Sequence, residues 1–261
     1  MANRMNDLTG KEWLQNSFSI WRELSKSREE KALKHPAMFP QTLAEKLMKI
    51  YLNGTEKSIL DPFSGIGSTV LAAEALGHKA IGIDLNPEYC DFAKQRLAES
   101  LFVDHERDSI YCDDSVNLLE YVLADSVDLA ITSPPYWNIL NQKRTADKKD
   151  IRNYSDSSDD LGNIDDYEEY LEALKKVFGK VYIALKMNSR CISIVMDIRK
   201  KDRFFPLHED QTRIMREIGF ELEEYVIWDR QAEYNNMKTL GYPYVFRFNK
   251  VHEFICIYWK R

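Results

Sequence analysis

Residues 58–86 constrain the fold more than any other stretch. Ser58-Ile59-Leu60-Asp61 and Ile81-Gly82-Ile83-Asp84 are short apolar runs that each end on a carboxylate. Between them lies the helix-forming run Val70-Leu71-Ala72-Ala73-Glu74-Ala75-Leu76. Two strand-length runs around a helical one predict a strand-helix-strand crossover, and therefore a parallel sheet. Gly65 and Gly67 fall where the first strand turns into the helix. Lacking Cβ atoms, they admit positive φ and let a ligand approach the main chain. Asp84 ends the second strand about 20 residues further on, where a carboxylate reaches ribose hydroxyls. The third glycine of a dinucleotide fingerprint is absent, as is the Gly-Lys-Ser/Thr of a triphosphate loop, so the turn favours a nucleoside. A tight turn without a ligand has the same local signature, and the glycine pair alone does not separate the two.

The other expected elements extend this unit. Residues 8–34 carry helix signals: Thr9 and Glu12 form a capping box, and Trp13, Leu14, Phe18, Trp21 and Leu24 recur at helical spacing. Such an amphipathic segment covers a core or docks on a partner. Prolines 36 and 40 then enforce an extended loop, and helices are expected over 41–53 and 87–101, the latter capped by Asn86. Strands at 109–112 and 127–132 flank a helix near 116–124. A helix over 165–184, a strand at 191–196, a basic loop at 199–203 and a helix at 209–218 closed by Gly219 follow. Two last strands, 222–228 and 253–259, make an antiparallel pair at the sheet edge. The first four strands end at Asp61, Asp84, Asp113-Asp114 and Thr132-Ser133, and in an open parallel sheet those ends share the edge where ligands bind.

At the fourth end stands Ser133-Pro134-Pro135-Tyr136-Trp137. Two prolines make a rigid loop with free carbonyls, here flanked by a hydroxyl and two aromatics. By itself it also reads as a proline turn with packed rings; beside the glycine turn it reads as a site. Polar residues 138–164 include Lys143, Arg144, Lys148, Lys149 and Arg152, which suit phosphate contacts or a solvated loop.

Composition excludes several classes. No apolar run approaches a membrane span, and residues 1–7 lack a charged-then-apolar signal, so a cytoplasmic protein is expected. Cys90, Cys112, Cys191 and Cys256 form no Cys-x-x-Cys pair and the histidines show no ligand spacing, so neither a metal nor a disulfide framework is indicated. A net charge of −6 argues against a general nucleic-acid coat protein, leaving local basic clusters to decide.

The chain resembles the S-adenosylmethionine-dependent DNA amino-methyltransferases, which methylate an exocyclic nitrogen of cytosine or adenine. The resemblance rests on Asp61 to Gly67, Asp84, Asp113-Asp114, Ser133 to Tyr136, Val251 to Ile255 and the segment from His35-Pro36 to Pro40. It implies an α/β, Rossmann-like class I methyltransferase fold with a mostly parallel seven-stranded sheet, an antiparallel edge strand and helices on both faces. A single domain over 1–261 is expected, with an N-terminal helical extension (1–34), a cofactor-binding half (35–131) and a catalytic half (132–261).

The resemblance assigns S-adenosyl-L-methionine to Asp61, Phe63, Gly65, Gly67, Asp84, Asp113, Asp114, Pro36 and Phe39, and catalysis to Ser133, Pro134, Pro135 and Tyr136. Ser133 in place of aspartate leans the target toward cytosine N4; N6-adenine, an RNA base and an inactive partner subunit are the alternatives. Cytosine C5 chemistry would need a Pro-Cys that this loop lacks. The expected partners are double-stranded DNA and a second copy of the chain, without membrane or metal. The catalytic loop follows the cofactor loop, the reverse of many cytosine-N4 enzymes, which leaves 138–164 and 229–250 as candidate DNA-reading loops. Trp137, Lys143, Arg144, Arg199, Lys200, Arg230 and Arg247 are the candidate DNA contacts.

Overall fold

The computed structural model describes residues 4–33, 38–99, 108–139, 160–234, 237 and 239–261. Pro36, Lys143 and Arg144 lie outside them, as does most of the candidate loop 138–164. In chain order the elements are α1 (Gly10–Asn16), β1 (Ile20–Trp21), α2 (Arg28–Ala32), α3 (Gln41–Tyr51), β2 (Ser58–Asp61), α4 (Ser68–Ala75), β3 (Lys79–Asp84), α5 (Pro87–Ala98), β4 (Asp108–Cys112) and β5 (Val127–Thr132). They continue with α6 (Tyr167–Ala184), β6 (Leu185–Val195), β7 (Ile198–Lys200), β8 (Arg203–Phe205), α7 (Leu207–Ile218), β9 (Glu221–Asp229) and β10 (His252–Trp259). Short 3-10 turns occupy Ser115–Glu120, Leu161–Asn163 and Gln231–Glu233.

One eight-stranded sheet runs in the order β1-β9-β10-β6-β5-β2-β3-β4. Strands β4, β3, β2, β5 and β6 are mutually parallel, and β10 is antiparallel to both β6 and β9. The doubly wound class is therefore the expected one. Two details differ: the two-residue β1 adds an eighth strand, and the antiparallel strand lies inside the edge, between β9 and β6.

Alternation along the central strands builds two cores. Ile59, Leu129, Ile131, Ile192, Ile194, Ile255 and Ile257 face α3, α4 and α5, whereas Leu60, Ala130, Cys191, Val195, Cys256 and Tyr258 face α6 and α7. Cys90, Cys191 and Cys256 are buried free thiols and serve as small hydrophobes.

The first helix stops early. Thr9 and Glu12 do form the capping box, but the chain leaves the helix after Asn16, and Ile20–Trp21 pairs with β9 through Ile227 and Trp228. Trp21 and Leu24 enter the core, while Trp13, Leu14 and Phe18 stay exposed. A helical face that matched only part of the underlying surface thus yielded to strand pairing. The basic loop at 199–203 is likewise the turn of a β7–β8 hairpin, with Ile198 opposite Phe205.

Candidate active site

The glycine turn is built as its residues demand. Gly65 has φ 51° and Gly67, the residue before α4, has φ 83°. A Cβ on Gly67 would lie 3.1 Å from that of Ala93 in α5. Gly82 of β3 is equally constrained, because a Cβ there would collide with the side chains of Ser64 and Ile110. The turn is seated by Ser64 N–H donating to Ile83 O (2.9 Å) and Gly65 N–H donating to Asp84 Oδ2 (2.7 Å).

The three acidic strand ends have different duties. Asp61 is buried and accepts from Thr69 Oγ1 and Thr132 Oγ1, both at 2.6 Å, and from Phe63 N–H. It therefore ties the glycine turn to the end of β5, where the Ser133–Tyr136 loop begins. Burial pushes its carboxyl up to about 6 despite the two hydroxyl donors. Asp84 is half-buried; its Oδ1 accepts from Asn86 N–H (2.9 Å), and burial raises it to about 6 as well. Asp113 accepts from Tyr121 Oη, Asn117 Nδ2 and Asp114 N–H, and the Tyr121 hydrogen bond holds it below its ordinary value. Asp114 caps the following 3-10 turn by accepting from Val116 N–H through Oδ1 alone. Asp114 is thus better placed than Asp113 to receive a further donor. Phe39 is buried against the helices on the α3 face, and Phe63 packs at the border of the other core.

The Ser133–Tyr136 loop is locked from below. Pro135 O accepts from Tyr170 Oη (2.7 Å) and Trp137 N–H (3.0 Å), whereas no described residue donates to Pro134 O. Trp137 has φ 48°, an unusual region for a bulky residue, and is held there by edge contacts with Tyr167 and Phe205. Lys200 Nζ stands 4.0 Å over the Trp137 ring and donates to Asn138 Oδ1 (3.0 Å). At 4% exposure Trp137, proposed from the sequence as a DNA contact, presents almost no surface to a partner, and Lys200 braces it.

A polar chain crosses beneath the loop. Arg230 Nη1 pairs with Glu253 Oε1, and Glu253 Oε2 accepts from Tyr136 Oη at 2.8 Å. Tyr136 Oη and Ser133 Oγ are 3.1 Å apart. Arginine can only donate, and a paired carboxylate can only accept, so Tyr136 donates toward Glu253. A further acceptor near this hydroxyl, Ile194 O at 3.4 Å, also draws its proton away from Ser133. Ser133 must then donate to Tyr136, which leaves the lone pairs of Ser133 Oγ free to accept. Arg230 also pairs with Glu233 at 2.8 Å. Burial opposes its charge, yet the Glu253 and Glu233 carboxylates hold its pKa above the ordinary value. Arg230 is consequently a half-buried counter-ion whose guanidinium is already engaged by two carboxylates. Arg199 is exposed over Phe204, and half-buried Arg247 donates to Lys201 O (2.8 Å).

Two acids escaped the reading of the sequence. Glu253 falls inside the matched stretch Val251 to Ile255, but its own role shows only as a charge at a buried position of β10. Asp160, buried and capping the turn Leu161–Asn163, lies near enough to raise the Asp84 carboxyl further. It follows a polar stretch of sequence without apolar periodicity, which carries no signal.

A doubly wound sheet with a glycine turn after one central strand and a Ser-Pro-Pro-Tyr loop after its neighbour is the layout of a class I methyltransferase. Residues 2–95 and 127–261 match the N6/N4 DNA methylase family, and the chain belongs to that family. It is 35% identical over 94 residues to the orphan methyltransferase M.BamHII of Bacillus amyloliquefaciens, covering 34% of this chain and 35% of that protein. It is 43% identical over 81 residues to the type II methyltransferase M2.LlaDCHI of Lactococcus lactis subsp. cremoris, covering 30% and 29% respectively. The chain thus spans about a third of the length of these curated relatives. Among solved structures, TrmN from Thermus thermophilus shares the fold with a TM-score of 0.56 at 14% identity, over 90% of this chain and 52% of that one. Among the described residues no acid, cysteine or histidine cluster could hold a metal, and no helix is long and apolar enough to cross a membrane.

Proposed function

We propose that the protein transfers the methyl group of S-adenosyl-L-methionine to the exocyclic N4 amino group of a cytosine turned out of duplex DNA. The single observation that carries this reading is the Arg230–Glu253–Tyr136–Ser133 chain, which makes Ser133 Oγ an acceptor beside the free carbonyl of Pro134.

An exocyclic amine is a poor nucleophile because its lone pair is delocalised into the ring. Two acceptors on its hydrogens favour a tetrahedral nitrogen and aim its lone pair along one line. Ser133 Oγ and Pro134 O have the required polarity, and Pro135 O, already doubly hydrogen-bonded, does not compete. Tyr136 is 8% exposed, so it contributes polarity through its hydroxyl and only a small ring surface to a base.

The residues present fit the cofactor. Asp84 Oδ1 and Oδ2 each hold one main-chain N–H and keep lone pairs for the ribose hydroxyls, and Asp114 suits the adenine amino group. The main chain at Gly65 and Gly67, free of Cβ atoms, would approach the amino acid end. Bound there, S-adenosylmethionine supplies an activated sulfonium methyl, so no enzyme nucleophile is needed. The choice of cytosine over adenine rests on Ser133 at the head of the loop.

The test is nucleoside mass spectrometry of unmethylated DNA incubated with the protein and S-adenosylmethionine, with Ser133→Ala as control. N4-methylcytosine that forms far more slowly in the control is the expected result. N6-methyladenine alone would reject cytosine and keep the mechanism; no methylated nucleoside would reject the activity.

A further inference from the structure

Four aromatic side chains in one seven-residue stretch face solvent: Tyr242, Tyr244, Phe246 and Phe248 are 81%, 91%, 84% and 80% exposed. Nothing else among the described residues matches this. Large rings cost free energy in water, about 25 cal/mol for each Å² of apolar surface, and such a patch on a globular chain marks a surface that another molecule covers.

The stretch is built, not loose. Leu240 pairs with Arg247, and Tyr244 N–H (2.9 Å) and Val245 N–H (2.8 Å) both donate to Gly241 O. Gly241 has φ 79°, and a Cβ there would collide with Val245 O. Phe246 and Phe248 meet edge to face at 5.2 Å. A tight hairpin therefore holds the rings outward.

Its position connects it to the catalytic loop. The hairpin rests on the β7–β8 turn, through Arg247 Nη1 donating to Lys201 O and Lys250 Nζ 4.1 Å over the Phe204 ring. The β7–β8 unit in turn contacts the catalytic loop through Lys200 and Phe205 on Trp137. The chain also leaves β9 and re-enters β10 beside Arg230 and Glu253, the pair that sets Tyr136. Charge selects the occupant: the two hairpins carry Arg199, Lys200, Lys201, Arg203, Arg247 and Lys250 against the single acid Asp202, on a chain whose net charge is −6. Rings among cations suit stacked bases between phosphates.

We infer that the hairpin Leu240–Phe248 is a duplex-DNA wedge whose rings, Tyr244 and Phe246 foremost, stack into the space that a turned-out base vacates, while the β7–β8 cations hold the flanking phosphates. Turning out a base costs stacking, and an inserted ring replaces part of it. This rests on the DNA-methylating reading above, and the test separates the two.

The experiment compares the wild type with the double variant Tyr244→Ala/Phe246→Ala. Binding to a PCR-amplified, hence unmethylated, duplex is measured alongside methyl transfer to it, S-adenosylhomocysteine affinity by calorimetry and sedimentation. Duplex affinity is expected to fall 10- to 100-fold and methyl transfer with it, while cofactor affinity stays unchanged and shows that the variant is folded. Tyr244→Phe/Phe246→Trp, which keeps both rings, is expected to retain binding. Equal duplex binding and methylation by the double variant would overturn the wedge and keep the methyltransferase. Loss of duplex binding where even the wild type transfers no methyl group would keep the wedge and overturn the activity. A wild-type dimer that the double variant dissolves, with duplex binding intact, would assign the rings to a second copy of this chain and overturn the wedge.

Discussion

Tyr136→Phe isolates the polarity of the catalytic loop from its shape. The ring and its packing remain, and only the hydroxyl that receives from Ser133 and donates to Glu253 is removed. In the folded state Glu253 Oε2 loses a charge-assisted hydrogen bond in a residue 6% exposed, so about 1.5–3 kcal/mol of stability should be lost. Urea unfolding would measure this. For the reaction, Ser133 Oγ–H is no longer held, and the hydroxyl can turn its proton toward the incoming amine. Weakening one hydrogen bond of the transition state by about 1–2 kcal/mol corresponds to a fall of roughly 5- to 30-fold in the single-turnover rate. Cofactor affinity should not change, because the substitution leaves the glycine turn and Asp84 unaltered. The decisive assay repeats Tyr136→Phe in a Ser133→Ala background. If Tyr136 acts through Ser133, the substitution should then have almost no further effect on the rate. The same fold-loss in both backgrounds, or a wild-type rate for Tyr136→Phe alone, would refute the reasoning.

Three further outcomes are expected. Asp84 with a carboxyl near 6 receives ribose hydroxyls best when ionised, so S-adenosylhomocysteine affinity should fall as pH drops through about 6, and Asp84→Asn should flatten that dependence; a wild-type affinity constant from pH 5 to 8 in calorimetry would sink the assignment. Asp61 also titrates near 6 against an unfolded value of about 3.9, so the native state holds its proton more tightly; its contribution to stability is full below about pH 4 and is lost as pH rises through 6, by an order of ~3 kcal/mol, and the stability difference between wild type and Asp61→Asn should follow that curve in urea melts at pH 4 to 7. Gly67→Ala forces a Cβ into φ 83° and against Ala93, which should cost about 1–3 kcal/mol and weaken cofactor binding; an unchanged melting temperature would contradict the constraint drawn for the turn.

Most of the scaffold was legible because its signals are local. The strand at Val127–Thr132, the cap at Asn86 and the Thr9–Glu12 box depend on residues at most five positions apart, and each stands where periodicity and capping place it. What escaped depends on distant partners. Ile20–Trp21 is a strand only because β9, some 207 positions on, offers Ile227 and Trp228. The polar first half of β6, from Lys186 to Arg190, shows no apolar alternation, and its sheet partners Leu129 and Trp259, on either side of Arg190, are what make it a strand. The site follows the same rule. Motif residues announce themselves one at a time, yet the direction in which Ser133 points its proton is set by Glu253, 117 positions beyond Tyr136, and by Arg230 just past the end of the neighbouring strand β9. The antiparallel insertion of β10 between β6 and β9 brings those three strands into register. Arg230, read from the sequence as a DNA contact, is thereby engaged by Glu253 and Glu233, and under the proposed function the burden of holding DNA shifts to the cations of the β7–β8 turn and the aromatic hairpin beside it.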